Sequence, residues 1–319
     1  ITWLDRHGKA PRLDADTLTT ERFDRTMIER QLGRWPLPAD DAIELLIQLA
    51  TVRAASFGKL ARLEPLRGWW SLLMDLSEPS IGLRIVELVE GLGATDAELA
   101  RALMPSSMAQ QAELPWRDMI VGLGFLEEES DWGAVCAELL ATYGGRPRSG
   151  GLERSTGGRL TRLILAILEP IAGTVYDPAA GTANVLSTAW RYSDGPGVQL
   201  RGQEVDQRAW RLGYLRLVLE GADFELKLGD TLHDDLLRQL RADRIAIDPP
   251  IASAFEASPR MDSDPRWTWG VPMKSRADLL WVQHAAHHLA EDGVAVVVVS
   301  PITLSQAGAE ADIRTRLIE

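Results

Sequence analysis

Residues 174–184 read Thr174-Val175-Tyr176-Asp177-Pro178-Ala179-Ala180-Gly181-Thr182-Ala183-Asn184: a short strand-forming run, an acid, then small residues that open a helix. Small residues at such a handover let a ligand approach the backbone, and the first helical turn offers N–H groups without intrahelical partners. Outward from this stretch the pattern alternates. Upstream, Leu160, Leu163, Ile164, Ile167 and Leu168 recur at i, i+3, i+4, i+7, i+8, the face of a helix that stops before Pro170. Downstream, the spacing predicts a helix over 184–192, a strand over 198–204 and a helix over 207–219. Phe224, Leu226 and Leu228 alternate with polar residues as a third strand, and a fourth covers 244–247. A helix over 277–290 then leads to Val294–Val299, an apolar run suited to a buried parallel strand. Strands separated by helices predict an α/β fold, a doubly wound, Rossmann-like sheet.

Before this region the character changes. Residues up to 143 read as mostly helical: Ala42–Val52 is apolar nearly all round, as in a buried helix, and 75–92, 96–104 and 132–143 continue the pattern. The stretch GGRPRSGGLERSTGG, from Gly144 to Gly158, reads as the boundary between the two parts. Two domains are therefore expected, a helical one over 1–143 and an α/β one over 144–319. The tryptophans, Trp69-Trp70 among them, fit core and subunit contacts better than a base-stacking ribbon.

The 319 residues carry 34 Lys+Arg against 46 Asp+Glu, a formal charge of −12. That balance argues against binding nucleic acid through overall charge alone. Residues 144–162 run the other way, with Arg146, Arg148, Arg154, Arg159 and Arg162 against Glu153, and are equally a solvated linker or a patch facing phosphate. No apolar run reaches the roughly 18 residues of a membrane span. One cysteine, Cys136, can form neither an internal disulfide nor a Cys-built zinc site, which points to a reducing compartment, the cytoplasm. The chain starts at Ile1 without a signal-like segment and ends inside a helical pattern, so it reads as part of a longer protein.

In a doubly wound sheet ligands sit beyond the carboxyl ends of the strands. Asp177, after the first strand, is placed to accept a bond from a ligand ammonium. Glu204, after the second, can take both ribose hydroxyls. Gly229-Asp230, after the third, can receive an adenine amino group. Each taken alone is equally a satisfied turn or helix cap; three at successive strand ends describe a nucleoside site. No G-x-G-x-x-G is present, so an adenosine ligand without phosphates, S-adenosylmethionine, is preferred to NAD or FAD. After the fourth strand comes Asp248-Pro249-Pro250-Ile251. Two prolines hold the chain stiff and donate no backbone bond, leaving the Asp248 carboxylate and a backbone carbonyl to accept both protons of an exocyclic amino group. Such a grip stabilises the positive charge that forms as the nitrogen attacks a methyl sulfonium.

DPAAGTAN, GQEVD, LGDTL and DPP together resemble the successive motifs of an N6-adenine DNA methyltransferase, and more specifically the modification subunit of type I restriction–modification systems. Asp264-Pro265-Arg266-Trp267, Gly270-Val271-Pro272, Ser275-Arg276-Ala277-Asp278 and Trp281-Val282-Gln283-His284 add to the likeness. It covers 144–319 well and 1–143 only in helical character. The resemblance implies that Glu153 and Thr156, in the stretch matching the family's GEFYTP-like motif, contact the cofactor. It implies that Gly181, Thr182 and Ala183 hold its methionine end, with Asn184 replacing a usual glycine and crowding the turn slightly. Glu204 takes the ribose and Asp230 the adenine. Asp248, Pro249 and Pro250 match the catalytic motif, and Ile251 stands where the family carries an aromatic that stacks on the flipped base; Phe255 is near enough in sequence to take that part. The implied partners are DNA, a DNA-specificity subunit and a restriction subunit, with the specificity subunit supplying most of the DNA affinity.

His284, His287 and His288 share a helical face, but no acid or cysteine pattern lies nearby in sequence, so no metal is expected. Two other functions stay open. A catalytically silent subunit that binds cofactor or DNA is motivated by Ile251 and the eroded GEFYTP match, and an RNA base or a protein glutamine could replace DNA as the acceptor.

Overall fold

The computed structural model describes residues 35–107, 110, 114, 116–124, 126–143, 158–193, 197–250, 254–256, 261, 263–271 and 274–318. The helical part starts with α1 (Ala39–Ala55), buried on nearly every side, with Asp40 and Asp41 in its first turn and Arg53 in its last, as the helix dipole favours. A 3₁₀ turn (Ala61–Leu66) leads to α2 (Trp69–Asp75), α3 (Glu78–Leu92), α4 (Ala97–Leu103), α5 (Trp116–Gly124) and α6 (Trp132–Tyr143). The helix expected over 75–92 thus begins three residues later, at Glu78, and Asp75 closes the preceding α2. The break falls at the extended residues Leu76 and Ser77, just before Pro79, which a helix accepts only in its first turn.

The α/β part runs α7 (Gly158–Leu168), β1 (Thr174–Asp177), α8 (Asn184–Tyr192), β2 (Gln199–Glu204), α9 (Gln207–Leu219), β3 (Phe224–Leu228) and β4 (Ala242–Ile247). It continues through a small antiparallel pair, β5 (Ala254–Glu256) with β6 (Lys274–Arg276), to α10 (Asp278–His288), β7 (Leu289–Val297) and α11 (Ala309–Ile318). The main sheet has the order β3-β2-β1-β4-β7, every neighbouring pair parallel. This is the expected doubly wound arrangement. One boundary differs: the helix expected over 277–290 ends at His288, and Leu289 already pairs with Ala242. A register shift between Ala242 and Arg244 absorbs the extra residues, and Gly293 passes so close that a Cβ there would lie 2.9 Å from the Ala242 carbonyl.

Strand alternation sorts the core into two layers. Val175 and Ala246 join a continuous cluster that runs from Trp35 through the helical part, Trp70 included, to α8 and α9. Tyr176, Ile245 and Ile247 point the other way, into a cluster with Phe255, Trp267, Leu280 and Trp281. The helical part and one face of the sheet therefore share a core, with α9 packed on both. Beside it Arg208 of α9 pairs with Asp41 and Glu44 of α1, and Arg211 lies 2.7 Å from Glu44. Among the described residues no helix is long and apolar enough to cross a membrane.

Candidate active site

The four loops singled out by sequence emerge at the same edge of the sheet, because parallel strands all end on one side. The loop after β1 folds back on β2: the Ala180 amide donates to the Gln203 carbonyl at 3.0 Å and the Gly181 amide to Glu204 Oε2 at 2.7 Å. Gly181 (φ 53°) and Ala183 (φ 56°) both take left-handed backbone, and the turn closes with the Ala183 amide on the Ala180 carbonyl. The left-handed residue is Ala183, one before Asn184: Asn184 opens α8 and donates from Nδ2 to Thr161 Oγ1 at 2.8 Å, whereas buried Ala183 holds the conformation that glycine adopts most easily. Across from it, Gly213 of α9 lets the helix approach: a Cβ there would sit 3.1 Å from the Gly181 carbonyl and 3.2 Å from Ala183.

Two acids hold this loop. Asp177 is 2% exposed, and among the described residues its carboxyl accepts only the Ala179 amide, at 3.1 Å. Burial pushes its pKa up to about 8, the Ala179 bond opposes the rise, and the charges of Glu204 and Asp248 add to it. Among the described residues no cation stands beside this buried carboxyl. Glu204 accepts the Asp206 amide on Oε1 and the Gly181 amide on Oε2, both at 2.7 Å; burial raises its pKa while those amides pull it down. Each carboxylate oxygen keeps a further lone pair for a diol. Val205 beside it is an apolar side chain 64% exposed.

Asp230 heads the loop after β3. Its Oδ1 accepts the Leu232 and His233 amides at 3.1 and 3.3 Å, and its Oδ2 lies 3.0 Å from His233 Nδ1. Sequence reading identified this acid but not its turn. Thr231 Oγ1 donates to the Pro178 carbonyl at 2.6 Å, tying the third loop to the first. At the fourth, Asp248 is partly buried, Pro249 buried and Pro250 exposed. Phe255 is buried with its ring stacked on His233 at 5.1 Å, so that aromatic is engaged with the Asp230 turn. Glu153, Thr156 and Ile251 lie outside the described residues, as do Arg146, Arg148 and Arg154 of the basic stretch.

The fold brings Asp235, distant in sequence, against the histidines, and Asp235, His284 and His288 place ligand atoms within 4.8 Å of one another. That spacing could ring a cation. Protein groups already hold the ring nitrogens, however: His284 faces Arg266 and Tyr176 Oη, and His288 faces the Leu240 carbonyl and Asp235 Oδ2. Arg266 only donates, so His284 accepts at Nδ1 and carries its proton on Nε2. Burial, then the His288 and Arg266 charges, hold its pKa well below the ordinary histidine range. Asp235 is held down to about 2, because its bond to His288 and that residue's charge outweigh the upward push of burial. Arg266 itself, seen in sequence only as part of Asp264-Pro265-Arg266-Trp267, is 3% exposed and reaches the Thr231 and Leu232 carbonyls. No local spacing could have revealed those partners.

A model of the N-6 DNA methylase family matches residues 133–319, more than half of the chain. The methylase subunit of the MjaIX type I restriction enzyme of Methanocaldococcus jannaschii is 30% identical over 185 residues, 53% of this chain and 33% of that protein. The methylase subunit of the HindI type I restriction enzyme of Haemophilus influenzae is 28% identical over 167 residues, 50% of this chain and 38% of that protein. The chain thus spans well under half the length of these relatives. Among solved structures, the methyltransferase subunit of a type I restriction-modification system from Streptococcus thermophilus superposes with a TM-score of 0.63 at 19% identity. That match covers 92% of this chain and 74% of the other, a likeness of fold.

Proposed function

The chain belongs to the N-6 DNA methylase family, and from that premise we propose that it binds S-adenosylmethionine at this edge of the sheet and methylates adenine N6 in DNA. It would act as the modification subunit of a restriction–modification complex, beside a specificity subunit and a restriction subunit. The observation that carries the reading is the pair of acids at the glycine loop: Glu204 accepts the Gly181 amide at 2.7 Å, and the buried Asp177 carboxyl is pushed up to about 8 by burial, with the charges of Glu204 and Asp248 contributing. A buried carboxyl with no cation among the described residues fits a ligand ammonium, a carboxylate pinned by two amides fits a ribose diol, and Val205 offers an apolar edge to a ring.

When bound, the cofactor supplies an electrophilic sulfonium methyl. Gly181, Thr182 and Ala183 would hold its methionine end, Glu204 the ribose and Asp230 the adenine amino group through the lone pairs its turn leaves open. The Asp248 carboxylate and the Pro249 carbonyl would accept the two N6 protons, which directs the nitrogen lone pair at the methyl carbon. Asp248 would stabilise the positive charge that develops on the amino nitrogen as it takes the methyl, the electron pair of the broken S–CH3 bond staying on sulfur in the departing S-adenosylhomocysteine, and would hold the proton that the nitrogen then loses. Orientation and fixed electrostatics carry most of the effect.

The test is transfer of labelled methyl to DNA lacking the modification, with the chain assembled on its specificity subunit. Label in wild type that vanishes in Asp248→Ala supports the reading. Tight cofactor binding with no transfer to any DNA would instead favour a silent binding subunit, and label in RNA or protein alone would move the acceptor.

A further inference from the structure

The segment returning from Asp248-Pro249-Pro250 carries one side chain that the methyl-transfer reading does not use. Arg266 lies in the 3₁₀ turn Pro265–Trp267, and its guanidinium is fully subscribed. Nε donates to both Asp264 oxygens at 3.0 Å and Nη2 to Asp264 Oδ2 at 2.6 Å. Nη1 donates to the Thr231 carbonyl at 2.6 Å and to His284 Nδ1 at 3.1 Å, and Nη2 also to the Leu232 carbonyl at 3.1 Å. These bonds use all five N–H donors, and the group lies 4.5 Å from the Trp267 ring. Such a fork cannot be replaced by an ammonium, which has three donors and no plane.

What Arg266 grips is the turn headed by Asp230. The turn's amides, at Leu232 and His233, are held from inside by the Asp230 carboxylate. The carbonyls of Thr231 and Leu232 are held from outside by Arg266, while Thr231 Oγ1 anchors the same residue to Pro178 beside Asp177. His233 stacks on Phe255, from the same returning segment. The turn is therefore clamped on both sides, and one clamp comes from the arm that follows the catalytic motif.

We propose that Arg266 is a positioning residue: it fixes the Asp230 turn against the first loop, and so sets the cofactor's adenine subsite from the acceptor side of the cleft. This rests on the reading of Asp230 as the adenine contact. Asp264 holds the guanidinium flat, and His284 takes its remaining donor. Loss of the fork frees two carbonyls and lets the turn, with Asp230 on it, move out of register with Glu204.

The experiment measures S-adenosylhomocysteine binding by titration calorimetry on the full chain, for wild type, Arg266→Lys, Asp230→Asn and the double variant, with melting temperatures alongside. Each single change is expected to weaken binding about tenfold, and the double variant to bind no more weakly than the weaker single, because both act on one turn. A lower melting temperature with wild-type affinity in Arg266→Lys would reduce the residue to a structural brace and overturn the proposal. So would additive losses, near a hundredfold in the double variant. If Arg266→Lys does not fold, Asp264→Asn, which loosens the fork while leaving the arginine, takes its place; a several-fold loss of affinity is expected, and unchanged affinity overturns the proposal. Absence of binding by wild type would instead sink the cofactor reading on which the proposal stands.

Discussion

Asp177→Asn is expected to change how this fold responds to pH. The carboxyl is 2% exposed, and burial moves its pKa from an ordinary 3.8 up to about 8. Between those values the folded chain holds a proton that the unfolded chain has released. Stability contributed by this group is thus complete at low pH and lost progressively as the pH rises toward 8, by on the order of one kcal/mol per pH unit and several in all. Asparagine is nearly isosteric, keeps an oxygen for the Ala179 amide at 3.1 Å, and does not titrate. Subtracting variant from wild type removes the other acids, so the difference in urea unfolding free energy between pH 5 and pH 8 isolates this one. Wild type is expected to lose several kcal/mol relative to the variant over that interval. The same proton gives a second readout. A ligand ammonium beside Asp177 draws its pKa back down, so cofactor binding at pH 7 is expected to release about one proton, seen as a dependence of the heat on the buffer's ionisation enthalpy. Asp177→Asn releases none from this position. Parallel pH profiles for the two proteins, or wild-type binding whose heat ignores the buffer, would refute the reasoning.

Two other perturbations test the packing around the site. Gly213→Ala gains about 1 kcal/mol of helix propensity but drives a Cβ to 3.1 Å from the Gly181 carbonyl, backbone that cannot rotate away; overpacking of about 1–3 kcal/mol wins. The variant is expected to unfold at lower urea and to bind S-adenosylhomocysteine more weakly, and a more stable Gly213→Ala would show that α9 can shift freely. At the other end of α9's first turns, Arg208→Met with Arg211→Met leaves Glu44, 1% exposed, without its cations. Burial already raises the Glu44 pKa against the pull of Arg211 and Arg208. The pair of changes is expected to cost about 3–5 kcal/mol in denaturant unfolding, and adding Glu44→Met to recover part of it, since buried Asp41 also loses Arg208.

The order of elements was legible because it rests on local periodicity. Leu160 to Leu168 repeats at helical spacing and Phe224 to Leu228 alternates, and both signals survive in the fold. Once the strands are parallel, the convergence of Asp177, Glu204, Asp230 and Asp248 follows, since every strand ends at the same edge. The left-handed turn was harder to place. DPAAGTAN announces a tight backbone, but only the closure of Ala183 on Ala180 and the approach of Gly213 decide that Ala183 is the left-handed residue before Asn184.

By itself, then, the sequence determined the α/β order, the strand-end acids and the rigid Asp248-Pro249-Pro250 corner, all properties of residues a few positions apart. The tertiary structure alone decided what surrounds them. It supplied Asp235 to His288, Glu44 to Arg208, and the carbonyls of Thr231 and Leu232 to Arg266. It also made Asp177 a proton holder, because a carboxyl's charge is set by how much water and how many opposite charges the folded chain leaves beside it. Those neighbours come from distant parts of the chain, and no spacing along it encodes them.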